Sequence, residues 1–140
     1  PNGSFLNLSS NEPKIFNKIE VGRVYLDGSS KVTSTDGIVR DRVRMAVNGL
    51  VVVSVLLDEN DDLIGDPWCE TKGLPIVTNS NAPLVDCLEE DLSQLIGRIE
   101  PDVLLDNEQL EEVVRRGARH TCKSEIGKKP EVSVVISRLV

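Results

Sequence analysis

The clearest pattern in the chain lies in its second half. Leu50–Leu57 (LVVVSVLL) is apolar at both odd and even positions, which predicts a central strand covered on both faces. Asp58–Asp62 follows as a charged turn, and Leu63–Thr71 resumes extended structure. Pro67 cannot donate a ladder hydrogen bond, so this second strand is expected at a sheet edge. From Pro83 to Arg98 the period changes: Leu84, Val85, Leu88, Leu92, Leu95 and Ile96 recur at helical spacing, with Gly97 and Pro101 marking the end. Asp106-Asn107-Glu108-Gln109 resembles a capping box and opens a second helix running to about Ile126. Its inner face would be Leu110, Val113, Val114, Ala118 and Cys122, and Gly127 would stop it. Glu131–Val140 reads as a last strand, with Val132, Val134 and Ile136 alternating against Ser133, Val135 and Ser137. The order is β-β-α-α-β. The simplest packing is an α+β two-layer sandwich, a three-stranded sheet with Leu50–Leu57 in the middle and both helices on one face. The other face, carrying Ser54, Ser133 and Ser137, is expected to be covered in part by a linker or another chain.

The first third is weaker. Asn2-Gly3 and Asp27-Gly28 are turn dipeptides, and between them Phe5–Leu8 and Lys14–Tyr25 offer short extended runs, the latter with Ile15, Ile19, Val21 and Val24. These runs have few aliphatic residues, and an isolated hairpin is marginal in water. Residues 1–28 are therefore expected to belong to a larger sheet. Residues 29–37 (SSKVTSTDG) are polar and read as a linker. Ile38–Val47 can form a short helix, with either Ile38, Arg42 and Met45 or Val39, Val43 and Ala46 on one side, stopped by Asn48-Gly49. The expected division is 1–28, 29–47 (linker with short helix) and 48–140.

Composition adds bounds. The 140 residues suffice for one domain, and Phe5, Phe16, Tyr25 and Trp68 are the only aromatics, so the core must be built of branched aliphatics. The net charge of −7 argues against a domain whose main task is gripping nucleic acid. The charge is uneven: residues 1–57 balance at +2, residues 58–106 at −11 and residues 107–140 at +2. No signal-peptide pattern is visible and no stretch approaches the roughly 18 apolar residues of a membrane span, so no membrane role and a cytoplasmic location are expected. Cys69, Cys87 and Cys122 are odd in number and widely spaced, which predicts reduced thiols. A chain opening on Pro1 without an initiator Met fits a piece of a longer protein.

The string IVRDRVRMAVNGLVVVSVLLDENDDLIGDPWCETKGLP (Ile38–Pro75) resembles the C-terminal region of bacterial ribonuclease J, particularly its alphaproteobacterial form. Upstream, NGSFLNLS (Asn2–Ser9) and VGRVYLDGSS (Val21–Ser30) are similar to the segment where that enzyme leaves its catalytic body. Downstream, GKKPEVSVVISRLV (Gly127–Val140) resembles its closing strand. The family joins a metallo-β-lactamase domain with an inserted β-CASP domain to a linker and a small C-terminal domain. It processes and degrades RNA by 5′-to-3′ exonucleolytic and endonucleolytic cleavage, with two zinc or other divalent metal ions held by a motif of the form His-x-His-x-Asp-His. The resemblance implies that residues 1–28 are the last strands of the lactamase domain, 29–47 the linker and 48–140 the C-terminal domain. It implies RNA handled through the longer enzyme, docking on its own catalytic domain, and a homo-oligomeric partner. No catalytic, cofactor-binding or metal-ligating residue of the family carries over, because His120 is the single histidine.

Candidate contact residues remain. Arg115, Arg119 and Lys123 stand at successive four-residue steps with Arg116 and His120 alongside, and Lys128-Lys129 extends the ridge, a spacing that can follow phosphates. The competing reading is a solvated face, with Glu111–Arg115 and Glu112–Arg116 as helix-stabilising pairs. Arg40, Arg42 and Arg44 form a second basic cluster, read as docking on a catalytic body in preference to RNA contact. Asp58, Asn60 and Asp62 copy three ligand positions of a calcium loop, but Leu63 stands where Gly is needed and Cys69 where the bidentate Glu belongs, so a turn is expected. Two other readings compete with the accessory-domain reading. One is a free-standing α+β interaction or small-ligand regulatory module; the other is an RNA-binding domain proper, which the acidic middle disfavours.

Overall fold

The computed structural model describes residues 4–7, 14–18 and 22–140. Chain contacts divide it into two units, Pro1–Arg42 and Val43–Val140. In the first, β1 (Ser4–Asn7) pairs antiparallel with β2 (Lys14–Lys18), with a register shift between Phe5 and Leu6. β3 (Val24–Asp27) pairs antiparallel with β4 (Ser30–Thr33). The stretch read as a polar linker thus contributes a strand: Gly28 takes φ +58 at the turn, and the Asp36 carboxylate accepts from the Thr33 backbone N–H at 2.6 Å. The Asn2-Gly3 turn, Ile19 and Val21 lie outside the described residues. α1 (Gly37–Asn48) runs across the boundary between the units, close to the helix expected over Ile38–Val47, and buries none of its residues.

The second unit holds the core. β5 (Leu50–Leu57) is the middle strand of a three-stranded sheet, flanked by β6 (Trp68–Lys72), antiparallel, and β7 (Glu131–Arg138), parallel. Over the sheet lie α2 (Leu84–Gly97) and α4 (Asn107–Ile126), with the five-residue α3 (Pro101–Leu105) between them. This is the two-layer α+β sandwich that the periodicity predicts. Val51, Val53, Val55 and Leu57 point into the core, where they meet Leu84, Leu88, Leu92 and Ile96 of α2 and Leu110, Val114, Ala118 and Cys122 of α4. Each fully buried Val or Leu contributes about 1.5–3 kcal/mol, so these stripes hold the layers together.

Two expectations are corrected. Among the described residues of its own unit β5 is covered on one face only: Leu50, Val52 and Ser54 on the reverse are half-buried and Leu56 is exposed. The strand expected over Leu63–Thr71 begins at Trp68, because the Asp58–Asp62 turn and buried Pro67 take the intervening chain out of the ladder, leaving a single Leu57–Leu63 bridge. α2 ends at Gly97, ahead of Pro101, as expected, and Pro101 also opens the short α3, where its fixed φ and missing N–H are tolerated at a first helical position.

α4 is capped as its sequence suggests, with one difference. The Asp106 carboxylate accepts from the backbone N–H groups of Glu108 (3.0 Å) and Gln109 (3.3 Å), while the Gln109 amide donates to the Asp106 side chain (2.9 Å) and not to its backbone. These bonds, led by that from the Gln109 side chain, hold the Asp106 carboxyl below the usual carboxylate range.

Candidate functional site

The basic ridge of α4 divides in two. In its middle turns the cations are spoken for: Arg115 donates to Glu111 (2.6 Å) and Glu112 (2.9 Å), and Arg116 donates to Glu112 (2.8 Å). Those hydrogen bonds, from Arg115 and then Arg116, lower the Glu112 pKa. One turn further on, Arg119, His120 and Lys123 are exposed, and neither Arg119 nor Lys123 has a carboxylate partner among the described residues.

Gly127 ends the helix in the left-handed conformation (φ +70), its N–H bonded to the Lys123 carbonyl, which suits a residue without Cβ. The chain then turns back toward β7 through buried Pro130, and Lys129 comes to face the last turns of α4. Arg116, Arg119, His120, Lys123 and Lys129 line a shallow concavity of about 300 Å³. Lys128 is exposed beside it and does not line it. The structure therefore gathers four of the six predicted cations together with His120 and sets Arg115 and Lys128 outside.

The second cluster is not brought together. Arg40, Arg42 and Arg44 are all exposed on α1, but helical geometry puts Arg40 and Arg44 on one side and sends Arg42 to the other, where it pairs with Asp27 at 2.6 Å. Asp58–Asp62 forms a turn. The Asp58 carboxylate accepts from the backbone N–H groups of Asn60 (2.8 Å) and Asp62 (2.9 Å), and Asp61 takes φ +64 and pairs with Arg138. These carboxylates are committed to the chain itself.

The three cysteines are free thiols. Cys69 on β6 and Cys122 on α4 are buried. Burial, then the Glu89 carboxylate and Cys122, push the Cys69 thiol up to about 12, and burial pushes Cys122 up to about 11, so neither is a nucleophile near neutral pH. Among the described residues no three His, Cys, Asp or Glu side chains are placed to hold a metal ion. The donor set here does not fit the metal pair that the family resemblance implies: His120 sits among cations that repel one.

The outer sheet face, expected from the sequence to be covered in part by a linker or another chain, carries exposed apolar residues. Trp68 of β6 stands beside Ser54, which stands beside Val135 of β7, and Leu56 follows along β5. Trp68 is 55% exposed and Val135 49%. The signal was present in the apolar residues at both parities of β5, but it reads equally as burial.

The model of the ribonuclease J C-terminal domain family matches residues 37–139. The chain is 30% identical over 138 residues to a ribonuclease J of Sinorhizobium meliloti, covering 99% of this chain and 24% of that protein. It thus spans about a quarter of the length of this relative. No helix among the described residues is long and apolar enough to cross a membrane. A match over that share of the chain decides its kinship: it belongs to the ribonuclease J family, with residues 37–139 as the family's C-terminal domain.

Proposed function

We propose that this chain is the accessory end of a longer, cytoplasmic, metal-dependent ribonuclease, serving assembly and RNA contact and performing no cleavage of its own. In the family it resembles, hydrolysis depends on metal-binding motifs that lie upstream of this region. The observation that carries the assembly role is the apolar outer face of the sheet. Trp68, Val135 and Leu56 are exposed on one face of a sheet whose other face is the core. Exposed apolar residues grouped on one sheet face, here with Ser54 between Trp68 and Val135, suit an interaction site, and Trp is among the residues enriched at interface centres. α1 supports docking on the remainder of the enzyme, since Ile38, Val43, Met45 and Val47 are all exposed.

Two measurements test this reading. Purified chain incubated with 5′-monophosphorylated RNA is expected to leave it intact with or without added divalent metal, and robust EDTA-sensitive cleavage overturns the accessory reading. Sedimentation is expected to show self-association that Trp68→Glu abolishes while the circular dichroism spectrum is kept. A strict monomer at high concentration overturns the assembly role.

A further inference from the structure

We propose that the concavity on the C-terminal half of α4 seats the phosphodiester backbone of single-stranded RNA and grips it without reading its bases. This deepens the RNA contact included in the reading above and rests on it.

The first argument is the distribution of charge. Residues 43–140 hold 18 acidic side chains against 10 basic. Among the described residues, Lys72, Arg115, Arg116 and Arg138 pair with a carboxylate. Arg119, Lys123 and Lys129 do not, and they converge on one hollow. Like charges held together without counter-charges repel one another, and an anion placed between them relieves that repulsion. Lys123 lies in the last turn, where the helix dipole already offsets part of its charge, so the seat is a weak one.

The second argument is shape. The concavity is lined by four cations and His120, and the apolar stems of these side chains form most of its wall. It holds no wholly apolar side chain to grip the aliphatic or aromatic anchor of a peptide, and its donors suit a phosphate. A second hollow of about 220 Å³ adjoins the first through shared His120 and is lined also by Leu92, Gln94, Leu95, Arg98 and Thr121. Lys129 thus lies in the first hollow and Arg98 in the second, with His120 common to both. Asp91 lies in the second hollow with its carboxylate accepting from Thr121 Oγ1 at 2.8 Å, and its negative charge limits strong contact to the first.

The third argument concerns specificity. Neither hollow has a Phe, Tyr or Trp in its lining, and the one ring present, the His120 imidazole, offers a stacking face that every base can use and that reads no sequence. Contact of this kind makes binding independent of sequence and indifferent to the 2′-hydroxyl.

The test uses the 140-residue chain and a fluorescein-labelled oligouridylate of about a dozen nucleotides, followed by anisotropy in EDTA. Three phosphate contacts predict a slope of about −2 for log K against log salt, at about 0.7 per contact with a single strand. Affinity then falls about 20-fold between 50 and 200 mM salt. The triple variant R119S/K123S/K129S is expected to lose binding while keeping the wild-type melting curve, and Lys72→Ser serves as a charge control that binds as wild type. Oligothymidylate DNA is expected to compete on equal terms. Absence of binding at 50 mM salt, equal binding by the triple variant, or exclusive binding of RNA over DNA would each overturn the proposal. So would a labelled oligoglutamate binding more tightly than the RNA, which would make the concavity a dock for an acidic protein. Loss of this proposal leaves the cleavage and sedimentation outcomes above unchanged, and cleavage by the chain would overturn the accessory reading without altering the salt slope.

Discussion

Gly49 joins α1 to β5 at φ +79, and a Cβ built there would stand 2.5 Å from Leu74 Cδ2 and 3.0 Å from the Gly73 carbonyl oxygen. Left-handed backbone costs a residue with a Cβ about 1–2 kcal/mol, and forcing an extra carbon into a packed site typically costs about 1–3 kcal/mol. Gly49→Ala is therefore expected to lose about 2–4 kcal/mol in urea unfolding with an unchanged m-value; a loss within error of zero would mean that Leu74 moves aside freely. The sequence marks this position as a helix stop through Asn48-Gly49 but does not reveal Leu74, which arrives from beyond β6. Residues of the candidate site show the same split. The four-residue steps of Arg115, Arg119 and Lys123 are legible, whereas the engagement of Arg115 by Glu111 and Glu112 and the openness of Arg119 depend on where each side chain comes to rest.

At the scale of elements, Arg138 acts as a clasp at the end of β7. Its guanidinium donates to Asp61 in the β5–β6 turn, to the Leu104 carbonyl of α3, and to Asn107 Oδ1 at the start of α4 (2.8 Å). Three acceptors in different directions suit a planar fork and not a single ammonium. Arg138→Lys is expected to cost about 1–2 kcal/mol in chemical unfolding, with Asn107→Ala adding little in the lysine background. Full additivity of the two changes would show that the bonds are not a unit. None of these partners is near Arg138 in sequence, so periodicity gives no warning of the clasp. β5 shows how a correct element can carry a wrong environment. Its alternate residues are apolar on both faces, and local pattern cannot tell a face buried by the protein from one left open for another chain.

For the molecule as a whole, the core cluster lies entirely between Val51 and Ile136, inside the unit Val43–Val140. A chain trimmed to Gly37–Val140 is accordingly expected to melt in one cooperative step within about 4 °C of the full chain, a shift corresponding to about 1 kcal/mol in a domain this size. Collapse of that transition on trimming would mean that residues 1–36 complete the core, as the free-standing module reading requires.

The sequence by itself determined the α+β order, the placement of β5 at the centre, the two long helices with the caps of α4, and the kinship with ribonuclease J. All of these are written in local spacing or in motifs within a few dozen residues. Tertiary structure decided which face of the sheet stays open, which basic residues stand without partners, and which distant groups meet at Arg138. Those outcomes turn on residues far apart in the chain competing for the same space and the same charges.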